Sequence, residues 1–265
     1  MTDDLRKDLT PRPGENIDPV ELARRDQKKG LPRRFWKHAG VEEADGLFAL
    51  TLDGRRARTP AQNALAVHSR DLAQAMAAEW DAQGEFVDPS AMPLTRIVNS
   101  ALDGVAREMD ATLDEVVKYA GSDLLVYRSG DPANLVAEQA AAWDPVLEWA
   151  RARHGARFVL SEGVTFVTQP EASIEAMRRA FEAVAGAGPG AALRLAGLHV
   201  MTTLTGSALL ALAVAEGYLD AAAAWKAAHV DEDFQMRAWG EDAEAMARRA
   251  RRWREMEAAA KVVGR

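Results

Sequence analysis

The chain has 265 residues and 48% hydrophobic side chains, enough to bury a core as one large domain or two small ones. Alanine fills 53 positions against 48 for Val, Ile and Leu together, and aromatic residues are only 6%, which favours helix and argues against an aromatic-rich β-sandwich. A net charge of -7 argues against a dedicated nucleic-acid binder, and the absence of cysteine excludes disulfides, thiolate metal sites and thiol catalysis.

The segment Met1–Gly30 mixes charges of both signs with Pro11, Pro13 and Pro19 and has no apolar run of the kind a secretory signal needs. Its acids Asp3, Asp4, Asp8 and Glu15 are foreign to a mitochondrial transit peptide, so residues 1–32 read as a flexible arm. β structure is expected over residues 34–68. A short mixed run, Arg34–His38, precedes Leu47–Leu52, and Asp53-Gly54 suits a tight hairpin turn. Arg55–Thr59 returns antiparallel, Pro60 stops it, and Ala64–Val67 is one more piece. A meander this small needs something packed on one face.

Helical patterning starts at Ser69, a good N-cap with Asp71 in the first turn. Leu72, Met76, Trp80 and Gln83 share a face, and Gly84 reads as the stop. Pro89 and Pro93 mark a loop; Leu94, Ile97, Val98, Ala101, Leu102 and Val105 are then spaced for an amphipathic helix, and another covers about Glu108–Tyr119. Asp131-Pro132 reads as a helix start with the acid as N-cap, and Pro145 is expected to kink that helix before it ends near Gly155. Arg157–Leu160 and Val164–Thr168 flank Ser161-Glu162-Gly163 like an isolated hairpin. Four helices follow, at about 171–185, 190–215, 219–238 and 241–260. Leu195–Ala215 has 21 residues without a charge, but His199, Thr202, Thr203, Thr205 and Ser207 point to a buried helix rather than a membrane span.

Composition shifts once, near residues 68–90. The expected architecture is α+β: a small N-terminal antiparallel β domain over 33–85, then a larger all-α helical C-terminal domain over 86–265.

Catalytic signatures are scarce. Gly186-Ala187-Gly188-Pro189-Gly190-Ala191 matches a dinucleotide-binding string, but a helix rather than a strand precedes it, so it reads as an interhelical turn. None of the five histidines stands in a metal-binding frame; His229 and Glu232 are three apart, and a surface or capping histidine is the simpler reading. No nucleophile elbow or P-loop occurs. No cofactor or metal is expected.

Charge placement does stand out. Glu216–Glu244 carries eight acids and two bases, whereas Ala245–Arg265 carries seven bases and two acids. Neighbouring helices of opposite sign often pair as solvated faces. The acidic part is also interleaved with Trp225, Phe234, Met236 and Trp239, and large apolar groups beside acids suit a protein-binding patch.

Several strings occur in series: Arg34-Phe35-Trp36-Lys37; Leu52-Asp53-Gly54-Arg55 with Thr59-Pro60; Leu72-Ala73 with Glu79-Trp80-Asp81-Ala82-Gln83; Met92-Pro93-Leu94-Thr95 before Asn99 and Asp103; Ser122-Asp123-Leu124-Leu125 with Tyr127-Arg128; Gln139 with Trp143-Asp144-Pro145 and Trp149; and Asp231-Glu232-Asp233-Phe234-Gln235 with Trp239-Gly240. In this order and spacing, from about residue 33 to 250, the chain resembles the assembly chaperones of the F-type ATP synthase that serve the α subunit of the F1 head. The resemblance implies a β domain followed by a helical domain and a non-enzymatic role. It implies transient binding of the unassembled α subunit, which is kept from aggregating until it meets β. A monomer without nucleic-acid or membrane partners is expected, cytoplasmic in a bacterium and in the matrix if mitochondrial. Glu232, Asp233, Glu241 and Glu244 are expected to supply charge to the client and Phe234 or Trp239 apolar contact, with Gln235 in the same run. The Leu52–Arg55, Met92–Thr95 and Glu79–Asp81 strings have structural readings as a turn, a helix entry and a tie across the interface. Two rival readings stand beside this one: a small enzyme with a carboxylate site between the two parts, and a helical adaptor for another protein.

Overall fold

The computed structural model describes residues 30–163 and 165–265. The arm expected over 1–32 lies outside them except for its last three residues. Four strands form an antiparallel sheet: β1 (Ala39–Ala44), β2 (Leu47–Leu52), β3 (Arg55–Arg56) and β4 (Ala66–Val67), with β2 pairing all three others. Both hairpins turn on Asp-Gly. Asp53 and Gly54 have φ of 48° and 78°, and Asp45 and Gly46 have 53° and 75°, the positive pair that a two-residue turn between twisted strands requires. The second of these signals went unread in the sequence. The run Arg34–His38 is not a strand, because the Asp53 carboxylate accepts the N–H of Lys37 (3.1 Å) and of His38 (3.0 Å) and folds the segment over the turn.

Helix α1 (Arg70–Asp81) covers the sheet with Leu72, Ala73, Met76 and Ala77 buried, and Ser69 caps it by accepting from Leu72 N–H at 3.2 Å. It stops short of Gly84 because the Arg34 guanidinium takes the carbonyls of Asp81 (3.0 Å) and Gln83 (2.5 Å), a cation at a helix C-terminus. The remaining helices are α2 (Pro93–Asp103), α3 (Met109–Ala120), α4 (Ala133–His154), α5 (Glu171–Ala185), α6 (Ala191–Thr205), α7 (Ala208–Ala215), α8 (Ala221–Ala228), α9 (Val230–Trp239) and α10 (Ala243–Val262). Helix α4 begins one residue later than expected, with Pro132 as its N-cap, and stays continuous through Pro145. The glycine string at 186–191 is the turn between α5 and α6, as the sequence suggested.

Three further expectations change. The helix expected over 190–215 is two helices, broken at Gly206 (φ 69°) and capped anew by Ser207, which accepts from Leu210 N–H at 3.0 Å. The helix expected over 219–238 breaks at His229 into α8 and α9. The expected hairpin at 157–168 is absent among the described residues; β6 (Ser161–Glu162) instead pairs in parallel with β5 (Tyr127–Arg128). Gln169 replaces a strand partner there, accepting from Val159 N–H at 2.8 Å and donating to its carbonyl at 2.9 Å.

All eight residues of α7 are buried, as suits a helix with no polar face at the centre of a bundle. Helix α6 packs against it and against α2, α3 and α10. Gly197 permits the last contact, since a Cβ there would meet Val263 Cγ1 at 2.7 Å and the Ala259 carbonyl at 3.0 Å. One buried apolar cluster runs from Leu50, Leu65 and Val67 of the sheet to Met256 and Ala259 of α10. Among the described residues, no helix is long and apolar enough to cross a membrane.

The start of α7 is held by Asp123, which has no exposed surface. Its carboxylate accepts from Leu209 N–H at 3.0 Å and from Leu125 N–H at 3.1 Å. Burial pushes its pKa up to about 6, although these donors pull the other way. The folded value thus exceeds the unfolded one, roughly 3.9. The stabilisation from this group is fullest below the unfolded pKa and is lost as pH rises through the folded one. Asp123→Asn keeps one acceptor oxygen and removes the titration. In urea melts, the unsubstituted chain should gain about 1 kcal/mol over this variant between pH 7 and pH 5; equal gains in both would assign the pH dependence to other groups.

Candidate protein-binding groove

The acidic run expected to bind a partner forms α9, the turn Gly240–Asp242 and the first residues of α10. Acids at 231, 232 and 233 occupy the first turn of α9, where the helix dipole favours them. Two contacts fix α9 to α4: Gln139 Nε2 donates to Asp231 at 2.7 Å, and Arg237 donates to Glu138 at 2.7 Å. The other end of Gln139 accepts from Ser129 N–H at 2.8 Å, and Trp143 Nε1 donates to the Ala227 carbonyl at 2.7 Å, so α4 positions both α8 and α9. Asp233 pairs with Arg249 and ties α9 to α10, and Asp242 caps α10 through Glu244 N–H at 2.9 Å. Gly240, with φ 90°, makes the reversal that other residues rarely adopt.

Between α9 and α10 lies a groove of about 300 Å³. Glu232, Gln235 and Trp239 lie along its α9 wall, three and four residues apart and so on one helix face. Trp239 is 82% exposed, the most solvent-accessible of the large hydrophobic side chains among the described residues. Phe234 and Arg237 share a different face of α9, with the guanidinium 5.6 Å from the ring. Glu241 and Glu244 are exposed, do not line the groove, and form no ion pair among the described residues. The structure thus brings three of the seven expected residues together in the groove and leaves Asp233, Phe234, Glu241 and Glu244 outside its lining.

The opposite wall was not foreseen. Arg248, Arg249 and Arg252 of α10 line it, with Met236 and Met246 adding apolar surface. Arg252 donates to the Leu204 carbonyl at 2.8 Å and Arg249 to Asp233, whereas Arg248 has no ion pair among the described residues. The charge reversal after residue 244 was the available signal, but only packing shows that both signs face one cleft. His229 sits at its end, 3% exposed, with Nδ1 2.7 Å from the Trp225 carbonyl and Nε2 3.8 Å from Glu232. Burial lowers its pKa and favours the neutral ring; of the surface or capping histidine expected, it is the capping one, closing α8 and opening α9 from the interior.

The other strings support the fold. Glu79 accepts from Leu94 N–H (2.7 Å), Thr95 N–H (2.8 Å) and Thr95 Oγ1 (2.8 Å), which caps α2, and Trp80 Nε1 donates to Thr95 Oγ1 at 3.2 Å. Burial raises the pKa of Glu79 while those donors oppose it. Asp81 accepts from Ala39 N–H at 2.8 Å at the start of β1. Asp103 gathers Thr59, Ala61 and Asn63 at 2.5–2.9 Å and ties α2 to the loop beyond β3. The two acids with raised pKa, Glu79 and Asp123, are therefore occupied with backbone N–H groups. A wider hollow of about 510 Å³ between α2, α3 and α6 holds Glu108, Glu115 and His199. Glu115 and His199 meet there at 3.1 Å, but the Glu115 side chain is 68% exposed, a solvated pair rather than a sequestered one. No group of three potential metal ligands occurs among the described residues.

The family described as ATP12 chaperone protein matches residues 33–151, the sheet through most of α4. The crystal structure of the Atu1473 protein from Agrobacterium tumefaciens superposes with a TM-score of 0.82 at 46% identity, covering 94% of this chain and 91% of that one. Atp12 from Paracoccus denitrificans superposes with a TM-score of 0.77 at 39% identity, covering 87% of this chain and 97% of that one. The chain belongs to the ATP12 chaperone family. Protein atp12, mitochondrial, from Schizosaccharomyces pombe is 22% identical over 217 residues, 78% of this chain and 74% of the relative. Membership bears out the class read from the sequence, a chaperone of ATP synthase assembly.

Because Trp239 is 82% exposed, Trp239→Ala should change stability by less than about 0.5 kcal/mol in denaturant melts. Asp233 and Arg249 are half-buried, so a double-mutant cycle should give a coupling of about 1 kcal/mol. A coupling near zero would show that this pair does not fasten α9 to α10.

Proposed function

We propose that this protein holds the unassembled α subunit of the F-type ATP synthase, covers the surface that later packs on β, and releases it on assembly. An isolated subunit exposes apolar surface destined for an interface, and such patches drive aggregation. A binder without a nucleotide cycle prevents this only by occupying the patch, so its affinity must stay below that of the true partner. The protein acts in this reading without catalysis or cofactor, as a monomer in the bacterial cytoplasm.

The observation that carries the reading is Trp239, an indole left in water on the lip of a charged groove in a chain of a chaperone family. Glu232, Gln235 and Trp239 form the groove part of the contact. Asp233, Phe234, Glu241 and Glu244 extend it along the same segment, with Asp233 and Phe234 bracing α9 and the two exposed glutamates steering basic client surface. Aromatic side chains in such a position dominate binding energy, often by 2 kcal/mol or more.

Co-expression with the synthase α subunit should yield soluble α that co-elutes without added nucleotide, whereas co-expression with β should not. Trp239→Ala should weaken retention about tenfold or more. Charge reversal at Glu241 or Glu244 should slow association chiefly at low salt. Failure of the unsubstituted chain to retain α would reject the client assignment. Retention unaltered by all three substitutions would move the contact elsewhere on the chain.

A further inference from the structure

Three of the large hydrophobic residues left exposed fall in one loop outside the groove: Val159 at 46%, Leu160 at 48% and Phe166 at 69%. Its described residues are clamped at several points. Ser173 Oγ accepts from Arg157 N–H at 2.9 Å and donates to its carbonyl at 2.7 Å, and Gln169 clamps both backbone groups of Val159. Ser161 Oγ donates to the Thr165 carbonyl at 2.8 Å, and Gly163 N–H donates to the Arg128 carbonyl at 2.9 Å. Phe158 packs on the core while its two successors face solvent. These clamps satisfy the backbone with polar side chains and leave the apolar groups outside, which is how a rigid scaffold presents a binding loop.

The loop shares its platform with α9. The Glu162 side chain lies against Gly130, where a Cβ would meet Oε1 at 2.0 Å. The neighbouring Ser129 bonds Gln139, which bonds Asp231 in the first turn of α9. Asp131, Glu162 and Glu232 are exposed along this path. The base at the loop's root, Arg157, is exposed as well and forms no ion pair among the described residues. Beside the tip, exposed Asp131 and Glu162 outnumber the one exposed base, Arg157, an acidic excess that suits a strip of apolar side chains flanked by lysine or arginine.

We propose that Val159, Leu160 and Phe166 form a second contact with the same subunit held at the groove, taking an apolar strip of it with basic flanks. The proposal rests on the client reading above. Two linked contacts raise retention by effective concentration, so each can be weak. A competing partner that displaces one then frees the other, which gives release without nucleotide.

The test pairs Leu160→Ser/Phe166→Ser with a photo-crosslinking residue in place of Phe166, each co-expressed with the synthase α subunit. The double variant should melt within a few degrees of the unsubstituted chain, because both side chains are exposed, yet retain α about tenfold more weakly. The crosslinker should capture α. Retention equal to the unsubstituted chain, or capture of a second copy of this protein instead of α, would overturn the second contact. If Trp239→Ala releases α and the loop variant does not, the loop assignment alone falls. If the unsubstituted chain retains no α, the client reading falls and this contact with it.

Discussion

The bundle depends on one carboxylate that water does not reach. Helix α7 is buried on every side, so none of its ends or faces can be satisfied by solvent. Asp123 accepts from the backbone at its start and from Leu125 on its own segment, and so joins the chain before β5 to the centre of the helical part. An apolar residue there would leave buried N–H groups without partners, at a cost of about 1–3 kcal/mol each. A permanently charged group would carry the desolvation penalty at every pH. The raised pKa is the compromise: the site tolerates the charge without favouring it.

The same device recurs along the chain. Glu79, Asp53, Asp81 and Asp103 all accept backbone N–H groups from segments distant in sequence. Each joins a loop or helix start to an element that apolar packing alone would leave free to slide. Arg34 does the converse at the end of α1, where carbonyls need donors. Much of what resembles a binding signature in the N-terminal half is therefore a set of ties between the sheet, α1 and α2. The acids of α9 differ in kind: Asp231 and Asp233 serve as ties, but Glu232 remains open to solvent.

Local chemistry made much of this legible. Ser69 caps α1, Asp53-Gly54 turns a hairpin, and the apolar spacing over 171–185 matches α5 end to end. The break at Gly206-Ser207 was hidden because the hydrophobic run continues through it, and a buried chain shows no change of face, while the break at His229 has no glycine or proline to mark it. The segment 157–168 misled for another reason: two short apolar runs flanking Ser161-Glu162-Gly163 look like a hairpin whether or not they pair, and Gln169 supplied the partner of Val159 instead. In the groove, composition located the acids and aromatics but not their distribution. Helix rotation separates Trp239 from Phe234, and the basic wall appears only when α10 folds back on α9.

Walls of opposite sign have a consequence that a uniformly acidic face would lack. A single-sign surface attracts any base and binds more tightly the more of them it meets, which favours retention over release. Arg249 pairs with Asp233 just outside the groove, which leaves Glu232 and Asp242 with Arg248 and Arg252 in the lining, two charges of each sign. A segment entering with its charges reversed meets like charge on both sides. Under the proposed client reading, orientation is selected by electrostatics while most of the affinity is left to Trp239 and the two methionines, whose polarisable side chains tolerate varied partners. If the protein releases its client on assembly, as proposed, that division is useful: apolar contact of moderate area can be displaced by a larger interface, and no buried ion pair has to be broken first.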